Sequence, residues 1–482
     1  KIAVIEKEID KIPGGIAYSK KNSRFGFFNN PLRLSTFEFI NWIKKEKNIK
    51  NLNDFIQENK NYNLENWLKI NDDFKNRKTK NFDEIYFPRL TYSFFLEEKI
   101  NKIFNFLNYK KISLSFFEGE LSEIKKNKLL ECKAKKKFKE HDLELNFKNI
   151  SFKKKNKSNL KSISAVNIVL GNGLLPPKII DQNGSFKNSN YIWDFYSEGG
   201  TLNLINKIKK IKNNKIIKIV FIGNKAGLLE TMPELENFIS KNNIKIQIIT
   251  IAPNNLSLEK AENSKIFKKF KFKFLIAKNI KKIKKSQDIL KLLIKEFKSA
   301  KKNGFNKYDV WTWVLKKDLI SDCYNKLSSI EKKIYNDFTF SEIRNITRYT
   351  YPSTIYAKKR LERKKLIKYF KDKVLNIENF KNAIKIKTIK RKNIVADIVV
   401  NVSGPVSLNS VNKEVSFIKS LKKISKNFNY RGFVVDKKFL ISQNIYAPGT
   451  ISSNFNPNRL TIIKAVTQNS HKAADQILKD LK

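Results

Sequence analysis

A chain of 482 residues is long enough for two or three domains at roughly 150 residues each, and its 41% apolar content supplies ordinary cores. Lys and Arg number 99 against 45 Asp and Glu, a formal charge of +54 with pI about 10.0. Two distant cysteines, Cys132 and Cys323, exclude a disulfide framework, a CxxC redox pair and a zinc site, and with them a dithiol-disulfide reductase.

A balance this basic ordinarily points to nucleic acid or an anionic surface. Here the excess is nearly all Lys, spread along the whole chain with Asn, Ile and Phe. These are residues of A+T-rich codons, so a coding bias worn on solvated faces competes with a real preference for anionic partners. No Arg-aromatic cluster supports specific nucleic-acid binding. No apolar run approaches the ~18 residues of a membrane span and no signal peptide opens the chain, and the free cysteines fit a reducing cytoplasm, the expected location.

Residues 1–6 read as a short buried parallel strand ending in Glu6. "LSTFEFINWIKKE" (34–46) has helical spacing, with Phe37, Ile40, Trp42 and Ile43 toward one side. The polar stretch 50–80 reads as an irregular excursion with short helices, and 87–107 as a long amphipathic helix starting after Pro88. From about 111 to 170 the period drops to two, which predicts a meander of strands split by charged turns. "NKIIKIVFIGNKAGLLETMPELENFISKNNIKIQIITIAP" predicts a strand, a tight turn, a helix and a second strand, one βαβ unit. Residues 286–380 read as mainly helical. Strands return in "NIVADIVVNVSGP" and "NIYAPGTI", and a helix from about 460 closes the chain.

In dinucleotide sites an acid ends the second strand of the βαβ unit and accepts hydrogen bonds from the ribose, ~20 residues after the glycine turn that holds the pyrophosphate. Glu6 fits that role, or else is a strand-end acid facing water. The turn from Gly223 to Gly227 lies where a diphosphate can meet free helix N–H groups and the positive dipole end. Lys225 stands where GxGxxG has its second glycine, so this is either a nicotinamide site with a degenerate turn or an ordinary Rossmann-like unit. No acid or Arg cluster follows the second strand, so NADH and NADPH are not distinguished. His141 and His471 have no ligand partner at i+3 or i+4, which argues against a metal. No nucleophile elbow, P-loop or HExxH is present.

"GGIAYS" (14–19), "FFNNPLRLS" (27–35), "FPRLTYSFFL" (87–96) and "VNIVLGNGLLPP" (166–177) resemble, in this order, motifs of FAD/NAD(P)-binding flavoproteins of the urate hydroxylase and aspartate N-hydroxylase kind. The resemblance spans nearly the whole chain and is weakest at 50–80 and 255–335. It implies that Glu6 holds the FAD ribose, that Gly14 and Gly15 let backbone approach the flavin side, and that backbone around Leu121 in "EGELSEI" meets the adenine. Asn29 and Arg89 are candidates for contacts near the flavin or substrate; Arg89 can instead tie a helix start to the loop before it. Ser93 and Phe95 depart from the family's Gly and Tyr. Gly171 and Gly173 stand in the family's "ATG" turn, where a Cβ would obstruct the cofactor. In "NIYAPGTI", Gly449 and Thr450 resemble the closing FAD turn, with Thr450 where Asp is common. Arg348 in "ITRYTYP" is a candidate for an anionic substrate group or the nicotinamide phosphates, or forms a surface salt bridge.

The fold class expected is α/β, an FAD-binding Rossmann-like domain (βαβ plus β-meander) with an inserted NAD(P)-binding Rossmann-like domain. Its divisions would be 1–185 for the first part of the FAD domain, 186–395 for the NAD(P)-binding and helical domain, and 396–482 for the closing part. The resemblance implies an FAD-dependent NAD(P)H oxidoreductase, a monooxygenase hydroxylating a small polar substrate with dioxygen. The alternatives are a reductase or dehydrogenase without oxygen transfer and a non-catalytic dinucleotide-binding protein. It also implies that ~30 residues carrying a strand, a GxGxxG turn and a helix would precede Glu6, so that the chain as given would hold FAD weakly or not at all.

Overall fold

The computed structural model describes residues 1–18, 26–59, 61–71, 85–126, 143–149, 160–180, 188–211, 216–253, 259–260, 274–305, 307–317, 319–347, 349–390, 393–406, 408, 416–428, 432–452 and 462–481. Strand β1 (Ile2–Glu6) and one helical turn α1 (Gly15–Tyr18) lead into a helical layer of α2 (Phe37–Ile43), α3 (Glu46–Glu58), α4 (Tyr62–Ile70) and α5 (Leu90–Tyr109). Thr36 and Asn61 cap α2 and α4, their side chains accepting from the N–H of Phe39 and Leu64, as short polar residues do at helix starts. Then come β2 (Leu114–Lys126), β3 (Leu143–Asn149), β4 (Leu160–Ala165) and β5 (Ile168–Val169).

The second unit opens with β6 (Tyr191–Ile192), α6 (Gly200–Lys209), β7 (Ile217–Ile222), α7 (Ala226–Asn242), β8 (Ile246–Ala252) and β9 (Glu259–Lys260). A helical run follows: α8 (Leu275–Asn279), α9 (Ser286–Lys302), α10 (Lys307–Lys316), α11 (Leu319–Lys326), α12 (Ser329–Ile334) and α13 (Phe340–Thr347). After β10 (Tyr349–Thr350) and α14 (Pro352–Arg363) come β11 (Ile367–Lys371), β12 (Val374–Phe380), β13 (Ala383–Thr388), β14 (Ile394–Ala396) and β15 (Ile398–Asn401). The closing segment holds α15 (Ser416–Ile424), β16 (Leu440–Ser442), β17 (Ile445–Tyr446) and α16 (Ile462–Leu481).

The second unit is built on a five-stranded sheet in the order β11-β8-β7-β15-β6, parallel at every pairing. Its inner strands β7, β8 and β15 are mostly apolar because both their faces are covered. Ile217, Ile219 and Phe221 pack with Leu204, Leu228, Met232 and Leu361 from α6, α7 and α14. Val220 and Ile222 face the other way, against Ile377, Ile384 and Ile394 of the antiparallel β12-β13-β14 sheet.

In the first unit β1 pairs in parallel with β2, from Ile2 opposite Leu114 to Glu6 opposite Glu118, and β2, β3 and β4 form the expected antiparallel meander. The run at 129–140 and His141 lie outside the described residues. A small sheet joins β5 in parallel to β17, which pairs antiparallel with β16. Ile5 and Leu121 from the first sheet, Ile168 and Tyr446 from the second, and Phe433 share one core.

Four expectations need correction. The opening strand is not buried: β1 pairs on one edge only, and Ile2 is 43% exposed. Phe37 is 76% exposed, because the helix set by the Thr36 cap turns Phe39, Trp42 and Ile43 inward. Residues 286–380 are helical only to Arg363, giving way to β11 and β12, each with one buried isoleucine, Ile367 and Ile377. The strand Ile398–Asn401, assigned to the closing part, lies between β7 and β6 within the second unit's sheet.

Candidate functional site

Because β5 and β17 are parallel, their carboxyl ends emerge at one edge, and the turns that follow meet there. Leu170 N–H donates to the Tyr446 carbonyl at 2.8 Å, and the Thr450 hydroxyl donates to the Gly173 carbonyl. Asn469 of α16 braces this edge through Nδ2 to the Pro448 carbonyl at 3.1 Å. Gly171, Gly173, Gly449 and Thr450 are thus brought together. Gly173 has φ +69°, and among the described residues a Cβ on Gly171 or Gly173 would meet no heavy atom within 4 Å. Among the described residues their glycine therefore has no packing cause, and open space lies beside both.

The other flavin-side candidates sit on separate elements. Glu6 ends β1 and folds over its own turn, its Oε1 accepting from Lys7 N–H at 2.8 Å. Gly14 precedes α1 and Gly15 opens it, with the Gly14 carbonyl accepting from Tyr18 N–H at 3.1 Å. Gly15 has φ +56°, and among the described residues nothing lies within 4 Å of where a Cβ would stand. Asn29 is half-buried in the bend before the 3-10 turn Leu32–Leu34. Leu121 lies at a register shift of β2 against β3, partly buried on the shared core. Arg348 lies outside the described residues.

At the candidate nicotinamide turn the glycines have a different cause. Gly223 has φ +112°, and a Cβ there would stand 2.6 Å from the Val402 carbonyl oxygen; one on Gly227 would stand 2.7 Å from Val402 Cγ1. Both let the turn after β7 pass against the end of β15, a requirement of the fold whether or not a nucleotide binds. The backbone of this turn still starts α7, with Lys225 as N-cap and no side-chain cap.

Arg89 is tied to the protein in three ways. Its N–H donates to the Gly26 carbonyl at 2.9 Å, its Nε to the Phe27 carbonyl at 3.2 Å, and its guanidinium pairs with the Glu230 carboxylate of α7. Burial lowers the pKa of Arg89, but the Glu230 charge, Tyr196, Tyr18 and the hydrogen bond to Glu230 together outweigh it and raise the pKa above the ordinary arginine value. The Tyr196 hydroxyl bonds into the same pair, and burial, then the Glu230 charge, raises its pKa. One turn along α7, Glu234 accepts from Asn63 N–H at 2.6 Å and from Tyr62 N–H, at the N-terminus of α4. Glu236 leaves on another side, paired bidentately with Arg360 of α14 at 2.7 and 2.8 Å.

Sequence reasoning missed Glu230, Glu234 and Tyr196. A signal for the acids existed: in a chain with twice as many cations as anions, three glutamates fall within seven positions of an otherwise apolar helix.

Burial pushes the Glu234 carboxyl up to about 7 from 4.5, opposed by the Asn63 N–H bond. A raised acid favours the neutral form in the fold, so its contribution is full below pH 4.5 and lost as pH rises to about 7. Relative to Glu234→Gln, the wild type is expected to lose up to roughly 3 kcal/mol over that window, measured by urea unfolding at pH 4.5, 6 and 8. A difference independent of pH would contradict this.

Among the described residues no group of His, Cys, Asp and Glu could hold a metal, and no helix is long and apolar enough to cross a membrane. No family model and no curated protein matches the sequence. Among solved structures, the cadaverine monooxygenase DfoA of Erwinia amylovora, of the desferrioxamine biosynthetic pathway and solved bound to FAD, is 11% identical with a TM-score of 0.52, over 98% of this chain and 87% of that one. The ornithine hydroxylase PvdA of Pseudomonas aeruginosa is 11% identical with a TM-score of 0.51, over 100% of this chain and 92% of that one. These are hydroxylases of amines rather than of urate. The chain therefore has the mixed α/β fold of FAD-binding, Rossmann-like flavoprotein monooxygenases.

Proposed function

We propose that the protein is an FAD-dependent NAD(P)H oxidoreductase, a monooxygenase that uses dioxygen to hydroxylate a small polar substrate. The observation that carries this reading is the end-to-end likeness to DfoA and PvdA, in which both α/β units take part. Their named substrates, cadaverine and ornithine, make an amine nitrogen the favoured target. Open space beside Gly15, Gly171 and Gly173 fits a flavin nucleotide approached by backbone. Bound there, FAD supplies hydride acceptance and, once reduced, reaction with dioxygen. The chain's own residues hold and orient: the Gly171–Gly173 and Gly449–Thr450 turns present backbone, Glu6 offers a carboxylate to a ribose hydroxyl, and the start of α7 offers its dipole to nicotinamide phosphates.

Gly171→Val is expected to leave the far-UV spectrum and unfolding midpoint unchanged while weakening FAD binding by about tenfold or more, since a side chain would fill space the cofactor needs. Unchanged FAD affinity, by titration of flavin fluorescence, would count against this site. A second reading, a non-catalytic dinucleotide-binding protein, draws on Gly223 and Gly227, whose glycine is explained by Val402 alone. NADPH oxidation by the FAD-loaded full-length protein would dismiss it. A reductase without oxygen transfer would oxidise NADPH but yield no hydroxylated amine.

A further inference from the structure

One face of α7 is devoted to contacts outside its own unit. Glu230 and Glu234 are i and i+4 on the helix, hence on one side, and both are buried, at 9% and 6% exposure. Glu230 reaches Arg89 at the start of α5, and Glu234 reaches the Asn63 N–H at the start of α4. Two helices of the first unit are thereby held at their N-terminal ends, α5 through the side chain of its N-cap Arg89 and α4 through the Asn63 N–H. Glu236 instead joins α14, inside the second unit.

The Arg89 end of this link leads to the opening glycines by a short path. In the first turn of α5, the Ser93 hydroxyl donates to the Tyr18 carbonyl and the Tyr92 ring lies 5.1 Å from that of Tyr18. Tyr18 ends α1, which begins at Gly15. At the other end, Glu230 is about one turn from Gly227 and the β7–α7 turn. A few side chains therefore separate the flavin-side glycines from the nicotinamide-side turn.

We infer that Glu230 and Glu234 are positioning residues, which through Arg89 and the α4 N-terminus fix the nicotinamide unit against the flavin unit and so set the spacing across which hydride passes. The hydride part rests on the function proposed above; the docking part does not. Neither acid touches a cofactor in this role.

The test uses the full-length protein with Asn101→Cys on α5 and Lys241→Cys on α7 as fluorescent-label sites, both exposed. Cys132 is replaced by serine, and Cys323 is buried. The variant is Arg89→Met/Glu230→Leu/Glu234→Ala, which removes the charges together so that none is left buried alone. The expected result is an unchanged far-UV spectrum with a broader, longer inter-label distance. In FAD-loaded protein, anaerobic flavin reduction at saturating NADPH should slow by about tenfold, with NADPH and FAD affinities unchanged, as a misplacement of the donor predicts. An unchanged distance distribution would overturn the inference even if reduction slowed. Should the triple variant lose its fold, Arg89→Met/Glu230→Leu alone carries the same measurement, with the same outcome overturning it. Failure of the wild-type protein to take up FAD would sink the proposed function while leaving the distance test intact.

Discussion

Arg89→Met alone is expected to lower the unfolding free energy by about 3–5 kcal/mol, the cost of leaving a buried carboxylate without its partner. The Arg89 and Glu230 side chains are only 17% and 11% exposed, so water cannot readily take over the lost contacts. The Tyr196 hydroxyl keeps its bond to Glu230, but a neutral donor does not balance a charge. Removing both charges in Arg89→Met/Glu230→Leu should recover most of the loss, since two apolar groups of similar size can replace a buried pair at little net cost. Urea unfolding of the two variants checks this. A single variant within about 1 kcal/mol of wild type would place the pair among surface salt bridges, which are worth little.

Gly223→Ala is the second large effect. At φ +112° an L side chain is strained, and its Cβ would stand 2.6 Å from the Val402 oxygen and 2.8 Å from its carbonyl carbon. Both are backbone atoms at the end of a central strand, which cannot step aside cheaply. The expected loss is about 3 kcal/mol or more, with the β7–α7 turn displaced. Gly171→Ala, beside open space, should change stability by less than about 0.5 kcal/mol. The contrast separates a glycine required by packing from one with no packing cause, and equal losses at the two positions would contradict it.

The second unit was the most legible part of the sequence. Ile217–Ile222 and Ile246–Ala252 are apolar without alternation, as strands covered on both faces must be, and a glycine turn between strand and helix punctuates them. The meander was legible from its period of two. Phe37 was not: its place depends on where the Thr36 cap starts the helix, and a shift of one residue turns the face by about 100°. Nor could periodicity reveal Arg89 with Glu230, 141 positions apart, because an ion pair between units leaves no local pattern. The sequence offered Arg89 as either a cofactor contact or a tie between helix and loop. The structure gives it the tie, to Gly26 and Phe27, and adds the link to α7.

The candidate flavin-side glycines were singled out by resemblance rather than by spacing. Gly171 and Gly449 are 278 positions apart in the chain, and only the parallel pairing of β5 with β17 puts their turns side by side. The Thr450 bond to Gly173 is a detail no motif contained.

The most direct test of the account is the absorbance spectrum of the full-length protein after incubation with FAD and gel filtration, taken before and after NADPH without oxygen and again on admitting air. The account predicts flavin bands that elute with the protein, bleach with NADPH and return in air as oxygen is consumed. Protein that stays colourless after reconstitution, or holds a flavin that NADPH does not bleach, would contradict it.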